Sequence, residues 1–270
     1  MTAGEFAGKA GLVTGSAGGI GRASAVAFGR LGASVVVADL ERSRAEALHT
    51  VALVEEAGGT ATFVAVDVTS AESVENLVDS TFSHFGRVDF AHNNAGIGSF
   101  GFTADVSEEE FDRVVAVDLK GVWLCMKYEI LHMTRHGGGT IVNTASESGL
   151  VGSLLTGPYV AAKHGVVGLT KTAAGEYANM GVRINAVAPG AIETPLVAPL
   201  SAVERSHLMA PQPLQRFGTP EEVAEAVVWL SSKRSSFVVG TVLAIDGGAT
   251  ANAQSYDPAS SPSPDVLPQT

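Results

Sequence analysis

Cysteine is almost absent. Cys125 stands alone among 270 residues, so no internal disulfide can form and nothing in the chain calls for an oxidising compartment. It lies in the apolar run Val122–Met126 and reads as a small core hydrophobe. Basic charge is also scarce: 17 Lys and Arg against 28 Asp and Glu leave a net charge of −11. That argues against nucleic acid, whose phosphates need clustered cations, and against an anionic membrane surface. No stretch approaches the roughly 20 apolar residues of a membrane helix. Met1–Lys9 carries Glu5 and Lys9 and no apolar core, so a secretory signal is not expected and the cytoplasm is the default location. No internal repeat is evident. His132 and His136 share a helix-ligand spacing but lack an intervening Glu or a third donor, and His at a helix carboxyl end is favoured by the dipole. No metal is expected.

What the chain does have is apolar and glycine-rich material: 46% hydrophobic residues and 31 glycines, enough for a substantial core. One domain is expected over residues 1–250, followed by a Ser-, Pro-, Ala- and Gln-rich stretch, 251–270, that reads as a flexible tail. Within the domain, short β-branched runs alternate with helical patterns. Strands are predicted at Leu12–Thr14, Ser34–Ala38, Thr62–Val66, Val88–His92, Thr140–Thr144, Arg183–Val187 and Val242–Ile245. Helices are predicted at Gly19–Leu31, Arg42–Ala57, Ser70–Phe85, Ser107–Val117, Leu119–His136, Pro158–Tyr177 and Pro220–Leu230. Such alternation implies an α/β fold with a doubly wound parallel sheet and helices on both faces, a three-layer α/β/α arrangement. Ligands of such folds sit beyond the carboxyl ends of the strands.

The chemistry-bearing motifs fall where that rule puts them. Thr14-Gly15-Ser16-Ala17-Gly18-Gly19-Ile20-Gly21 joins the first strand to the first helix. Gly15 suits a sharp turn, Gly19 a close approach to a pyrophosphate, and Gly21 close helix packing, with free amides and the helix dipole facing the phosphates. Asp39 closes the second strand. A carboxylate there accepts from both ribose hydroxyls and repels a 2′-phosphate, so NAD is favoured over NADP. Asp67-Val68 follows the third strand and Asn93-Asn94-Ala95-Gly96 the fourth; the asparagines can hold backbone groups or simply form turns.

Tyr159 and Lys163 lie one helical turn apart on one face. A free phenol is ionised in about one molecule in a thousand at pH 7, and a neighbouring ammonium moves that balance towards phenolate, into the range useful for acid–base work. Ser146 follows the strand Thr140–Thr144 and can orient a substrate oxygen, with Ser148 as its rival. Pro189-Gly190, then Thr194, follow another strand and can close over a ligand.

Taken in order, Thr14–Gly21, Asp39, Asp67, Asn93–Gly96, Ser146, Tyr159, Lys163, Pro189–Gly190 and Asp246-Gly247-Gly248 make the chain, from about Lys9 to Gly248, resemble the single-domain, NAD-dependent branch of the short-chain dehydrogenase/reductase family. The resemblance implies a Rossmann fold and hydride transfer between nicotinamide and a secondary alcohol or ketone. It implies Tyr159 as acid/base, Ser146 on the reacting oxygen and Lys163 on the nicotinamide ribose. Gly15, Ser16, Gly19, Ile20, Gly21, Asp39, Asp67, Val68, Asn94, Ala95, Gly96, Pro189, Gly190, Ile192 and Thr194 would line the cofactor cleft, Ile192 and Thr194 at the carboxamide. It also implies a homotetramer, or a dimer, with the helices Leu119–His136 and Pro158–Tyr177 at one interface. One position departs from the family: Asp118 stands where an Asn usually holds a water linking the Lys to solvent. A carboxylate can still accept from that water, so a surviving relay with an altered pH profile is expected. Glu147 reads as a solvent-facing loop residue. Leu196, Val197, Leu200, Val203 and Leu208, with Phe100, Leu154 and Leu155, suggest a mostly apolar pocket for a small cyclic, aromatic or medium-chain substrate. Two other readings stand beside this one: an NADPH-using ketoreductase, and a dinucleotide-binding regulatory protein without turnover.

Overall fold

The computed structural model describes residues 4–195 and 197–251. Leu196 and all but the first residue of the predicted tail 251–270 lie outside the described residues.

Seven strands form one parallel sheet: β1 (Ala10–Thr14), β2 (Ser34–Asp39), β3 (Thr60–Ala65), β4 (Phe90–Asn93), β5 (Gly139–Thr144), β6 (Val182–Pro189) and β7 (Val242–Ile245). Their order is β3-β2-β1-β4-β5-β6-β7, and every pairing is parallel. The chain first winds outwards from β1 to β3, then crosses back to β4 and winds the other way. The crevice at that reversal, between the ends of β1 and β4, is where such sheets take ligands.

Helices cover both faces, which is why β1 is buried at all five positions and reads as an unbroken apolar run rather than an alternating one. One face holds α1 (Gly19–Arg30), α2 (Arg44–Glu56) and α8 (Pro220–Ser231). Its core includes Phe28 and Phe90, stacked at 4.0 Å between ring centroids, with Val227 and Leu230 fully buried. The other face holds α3 (Ala71–Phe85), α5 (Val122–Met133) and α6 (Gly157–Tyr177), with Leu77, Ile130, Met133 and Ile184 in its core.

Local signals place the helix starts. Ser70 caps α3 by accepting from Ser73 N. Thr219 and Glu222 form a reciprocal capping box on α8, with Pro220 in its first turn. Two features differ from expectation. The helices predicted on either side of residue 118 form one continuous run, in which α4 (Glu108–Val115) passes through a π-helical stretch, Ala116–Gly121, into α5. A short α7 (Ala202–Met209) also stands in the segment read only as pocket lining; its Ser201–Glu204 capping box is the signal that marks it.

Candidate active site

The turn after β1 uses backbone that only glycine takes without strain: φ is +64° at Gly15 and +53° at Gly19. A Cβ on Gly21 would lie 2.3 Å from the Gly15 carbonyl oxygen, so helix and turn could not meet with any larger residue there. α1 then starts without a side-chain cap and without an acidic residue in its first turn. Its first amides and the positive end of its dipole are left for an outside anion, which is what a pyrophosphate needs. Ile20, next along, packs against the core beneath. Ser16 serves differently. It is buried, and its hydroxyl donates to Val13 O at 2.8 Å and accepts from Ala38 N at 2.9 Å, so its side chain pins β1 to β2.

Asp39 sits at the end of β2, where Oδ2 accepts from Ala17 N at 2.9 Å and Oδ1 from Leu40 N at 2.8 Å. These bonds aim the carboxylate at the glycine turn. Asp67 is exposed and caps its own turn through Thr69, with Val68 buried beside it. Arg22 packs behind the same turn, with Nε on Thr50 Oγ1 at 2.9 Å and the guanidinium also on the Ala17 carbonyl.

Asn94 fastens β4 to the glycine turn. Its Nδ2 donates to the carbonyls of Thr14 and Gly15, each at 3.2 Å, while Thr14 Oγ1 accepts from the amides of Asn94 and Ala95 at 3.0 and 3.1 Å. A hydrogen-bond chain behind it fixes the amide: His92 Nε2 to Thr144 Oγ1 at 2.8 Å, then Thr144 Oγ1 to Asn94 Oδ1 at 3.4 Å. Burial pushes His92 down to about 3, so the ring is neutral. Asn93 faces inwards instead, donating to Glu129 at 2.9 Å and Asn143 at 3.0 Å. Glu129 is fully buried, and burial raises it to about 8 despite the Asn93 bond.

Tyr159 lies in the first turn of α6, partly exposed, with Lys163 Nζ 5.4 Å from the centre of its ring. Lys163 is 3% exposed and donates to Thr144 O at 3.0 Å. Thr144 ends β5, just before Ser146. A Cβ on Gly149 would lie 2.8 Å from Lys163 O, so the short turn Glu147–Gly149 rests on α6 and holds Ser146 at the same strand end. Ser146 Oγ accepts from Ser148 N at 3.1 Å and keeps its proton for another partner; Ser148 thus supports Ser146 through its amide.

The π-helical stretch turns Asp118 into this cluster. Oδ1 accepts from Ile97 N at 2.8 Å and Oδ2 lies 3.3 Å from Lys163 Nζ, with the carboxylate fully buried. A Cβ on Gly96 would sit 3.1 Å from Oδ2 and 3.4 Å from Nζ, so Gly96 makes room for the pair. The sequence suggested a carboxylate accepting from a bridging water; here the two charges face each other directly. Burial holds Asp118 above the usual carboxylate range although Lys163 pulls the other way. Burial opposes the Lys163 charge, but Asp118 and Tyr159 outweigh it and hold the ammonium above its ordinary value.

Pro189 and Gly190 leave β6 towards the same cleft. Ile192 pairs with Gly218, and Thr194 lies over the glycine turn, its Cγ2 3.3 Å from where a Gly19 Cβ would be. α7 is tied back by an Arg205–Glu193 ion pair and by Arg205 over the Phe217 ring at 4.5 Å. Of the apolar residues expected around a substrate, Phe100 and Leu154 are 78% and 92% exposed and form an open mouth rather than a closed wall. A backbone bond from Gly101 N to Leu155 O at 2.8 Å joins the loops that carry them. Glu147 differs most from expectation. It is half-buried, with Oε2 3.0 Å from a Gly190 Cβ position, and burial, then Asp246, raises it to about 7.

The sequence did not single out His92, Thr144 or Glu129. Polar residues inside runs destined for a sheet covered on both faces are the signal that marks His92 and Thr144. Among the described residues no group of three or more His, Cys, Asp or Glu is placed to hold a metal, and no helix is long and apolar enough to cross a membrane.

Comparison with known proteins agrees with this geometry. Residues 15–250 match the family described as Enoyl-(Acyl carrier protein) reductase. A 2,5-dichloro-2,5-cyclohexadiene-1,4-diol dehydrogenase of Sphingobium indicum is 43% identical over 252 residues, covering 92% of this chain and 99% of that protein. A cis-4-hydroxycyclohexanecarboxylate dehydrogenase of Sinomonas cyclohexanicum is 45% identical over 248 residues, covering 91% and 98%. The crystal structure of levodione reductase superposes with a TM-score of 0.83 at 38% identity, covering 91% and 99%. Sequence motifs, sheet order and full-length relatives thus agree that the chain belongs to the short-chain dehydrogenase/reductase family and is an oxidoreductase.

Proposed function

We propose that this enzyme oxidises a cyclic secondary alcohol to the ketone with NAD, and runs the reverse reduction when NADH is in excess. The observation that carries the reading is the buried Lys163 ammonium beside the Tyr159 ring at the end of β5. When bound, the nicotinamide supplies the hydride acceptor. Tyr159 takes the proton of the substrate hydroxyl at its phenolic oxygen, as general base. Ser146 Oγ donates to the same substrate oxygen and holds it against the phenol. Lys163 sets its positive charge beside the phenol and would donate to the nicotinamide ribose, and Asp118 keeps Lys163 charged and in place. The uncapped start of α1, with Gly15, Gly19 and Gly21, would hold the pyrophosphate. Asp39 would accept from the adenosine ribose, with Asp67 and Val68 beside the adenine. Asn94, Ala95 and Gly96 would line the cleft floor, while Pro189, Gly190, Ile192 and Thr194 would close it at the carboxamide.

The relatives named for cyclohexadienediol and hydroxycyclohexanecarboxylate oxidation support a ring-bearing substrate, and the carboxylate at Asp39 supports NAD over NADP. The test is NADH formation at 340 nm with a panel of cyclic alcohols, run beside NADP. Tyr159→Phe is expected to lower kcat by about 10³-fold, within the usual range for a general acid–base group, while NAD affinity by fluorescence titration stays within a few-fold. A fully active Tyr159→Phe enzyme would overturn the assignment. We also propose a homotetramer: Trp123 and Leu131 on α5 and Phe111 on α4 are exposed on a single chain, as an apolar contact face requires. Light scattering should then give about four times the 27.6 kDa chain mass.

A further inference from the structure

Glu147 is the one carboxylate beside the catalytic cluster whose position the fold does not explain. It begins the short turn right after Ser146. Its Oε2 is shut off from solvent without a donor, wedged where Gly190 has no side chain and would not tolerate one. Among the described residues, neither oxygen receives a hydrogen bond and no Lys or Arg pairs with it. Asp246, the acidic neighbour, cannot help, because its own oxygens accept from Gly248 N, Thr250 N and Thr250 Oγ1. A half-buried carboxylate with no cation and no donor costs stability, and a Val or Leu would fill the space without that cost.

Its place in the sheet says what it faces. The dinucleotide crevice lies at the reversal between β1 and β4. Glu147 sits on the other side of Ser146, where β5 gives way to the ends of β6 and β7. With a dinucleotide filling that crevice, a substrate whose carbinol met Ser146 and Tyr159 would have this side to extend into.

Resting on the cyclic-alcohol reading above, we propose that Glu147 is a specificity-determining residue that accepts a hydrogen bond from a second hydroxyl on the substrate ring. The preferred substrates are then cyclic diols and hydroxyketones rather than simple cycloalkanols. No bond is made or broken at Glu147; the carboxylate replaces the water the second hydroxyl gives up on entering the cleft.

The experiment compares kcat/KM for cyclohexanol, the 1,2-, 1,3- and 1,4-cyclohexanediols, and the mono-methyl ether of the best diol, in wild type, Glu147→Gln and Glu147→Ala. Wild type is expected to favour at least one diol over cyclohexanol and over the ether by about ten- to hundred-fold, the range of a hydrogen bond to a charged group. Glu147→Ala should bring that ratio close to one, and Glu147→Gln, which keeps a carbonyl acceptor, should retain part of it. A diol-to-cyclohexanol ratio that Ala leaves unchanged overturns the proposal. So does a wild type that treats diol and ether alike, a comparison that holds even if Glu147→Ala fails to fold. Turnover of cyclohexanol with no diol preference sinks Glu147 alone, whereas no turnover of any cyclic alcohol sinks the functional reading beneath it.

Discussion

Replacing Asp118 by Asn removes one charge from the catalytic cluster while keeping a carbonyl oxygen for the Ile97 amide. At the observed 3.3 Å separation from Lys163, the attraction lost is about 5 kcal/mol before desolvation, taking an effective dielectric constant of about 20. The net effect on stability is far smaller. Asp118 is held above its unfolded value, so its contribution is fully present only at acid pH and is lost as pH rises through the folded value, above which the ionised carboxylate burdens the fold. Lys163 is also held above its unfolded value, so its contribution is present at pH 7 and lost only in alkali. The substitution removes the burden together with the gain. The melting temperature at pH 7 should therefore move by no more than about 4 °C, or about 1 kcal/mol for a chain of this size. Activity should respond more. Burial works against the Lys163 charge and Asp118 is the larger of the groups that uphold it, so without the carboxylate the ammonium gives up its proton at lower pH. The alkaline limb of kcat/KM for alcohol oxidation should therefore move to lower pH. The assay is NADH formation from pH 5.5 to 9, with melting curves at the same pH values. A coincident profile, or one displaced to higher pH, would refute this electrostatic account, and a loss of more than about 10 °C would refute the claim that the buried carboxylate is a burden.

Two further outcomes follow from the same geometry. Asp39→Ser should lower kcat/KM with NAD by about ten- to hundred-fold, the worth of hydrogen bonds to a charged acceptor, and narrow the gap to NADP, as read from paired cofactor titrations. Glu129, raised to about 8, is mostly protonated at pH 7. Its neutral form favours folding, a contribution fully present below about pH 4.5 and lost as pH rises through about 8. Glu129→Gln should thus match the wild type in melting temperature near pH 5 and exceed it at pH 9; equal curves at both would count against the buried-carboxyl reading.

Much of this architecture was legible in the chain. The alternation of β-branched runs with helical patterns gave every strand and its order along the chain, because a sheet buried on both faces writes its strands as short apolar runs. Gly15, Gly19 and Gly21 were readable because a tight turn and a close helix approach each admit little else. Tyr159, Lys163 and Ser146 were readable through their spacing and strand-end positions. The rest depended on long-range packing. The sequence marks Asp118 as unusual, but only the π-helical stretch brings it against Lys163 without a water between. Glu147 looks like a loop residue until Gly190, far along the chain, is seen to leave a space for it. His92 and Thr144 look like ordinary strand positions until β4 and β5 are paired.

That pairing constrains which residues can change independently. The Asn94 amide is held from both sides, its Nδ2 on the carbonyls of Thr14 and Gly15 and its Oδ1 on the Thr144 hydroxyl that meets His92 Nε2, so the glycine turn is tied to a ring buried behind it. A substitution at His92 or Thr144 acts as a change to the nucleotide cradle made at a distance. These residues can drift only as a set, and a graft that moved the glycine turn into another scaffold without them would carry the loop but not the wiring that holds it in shape.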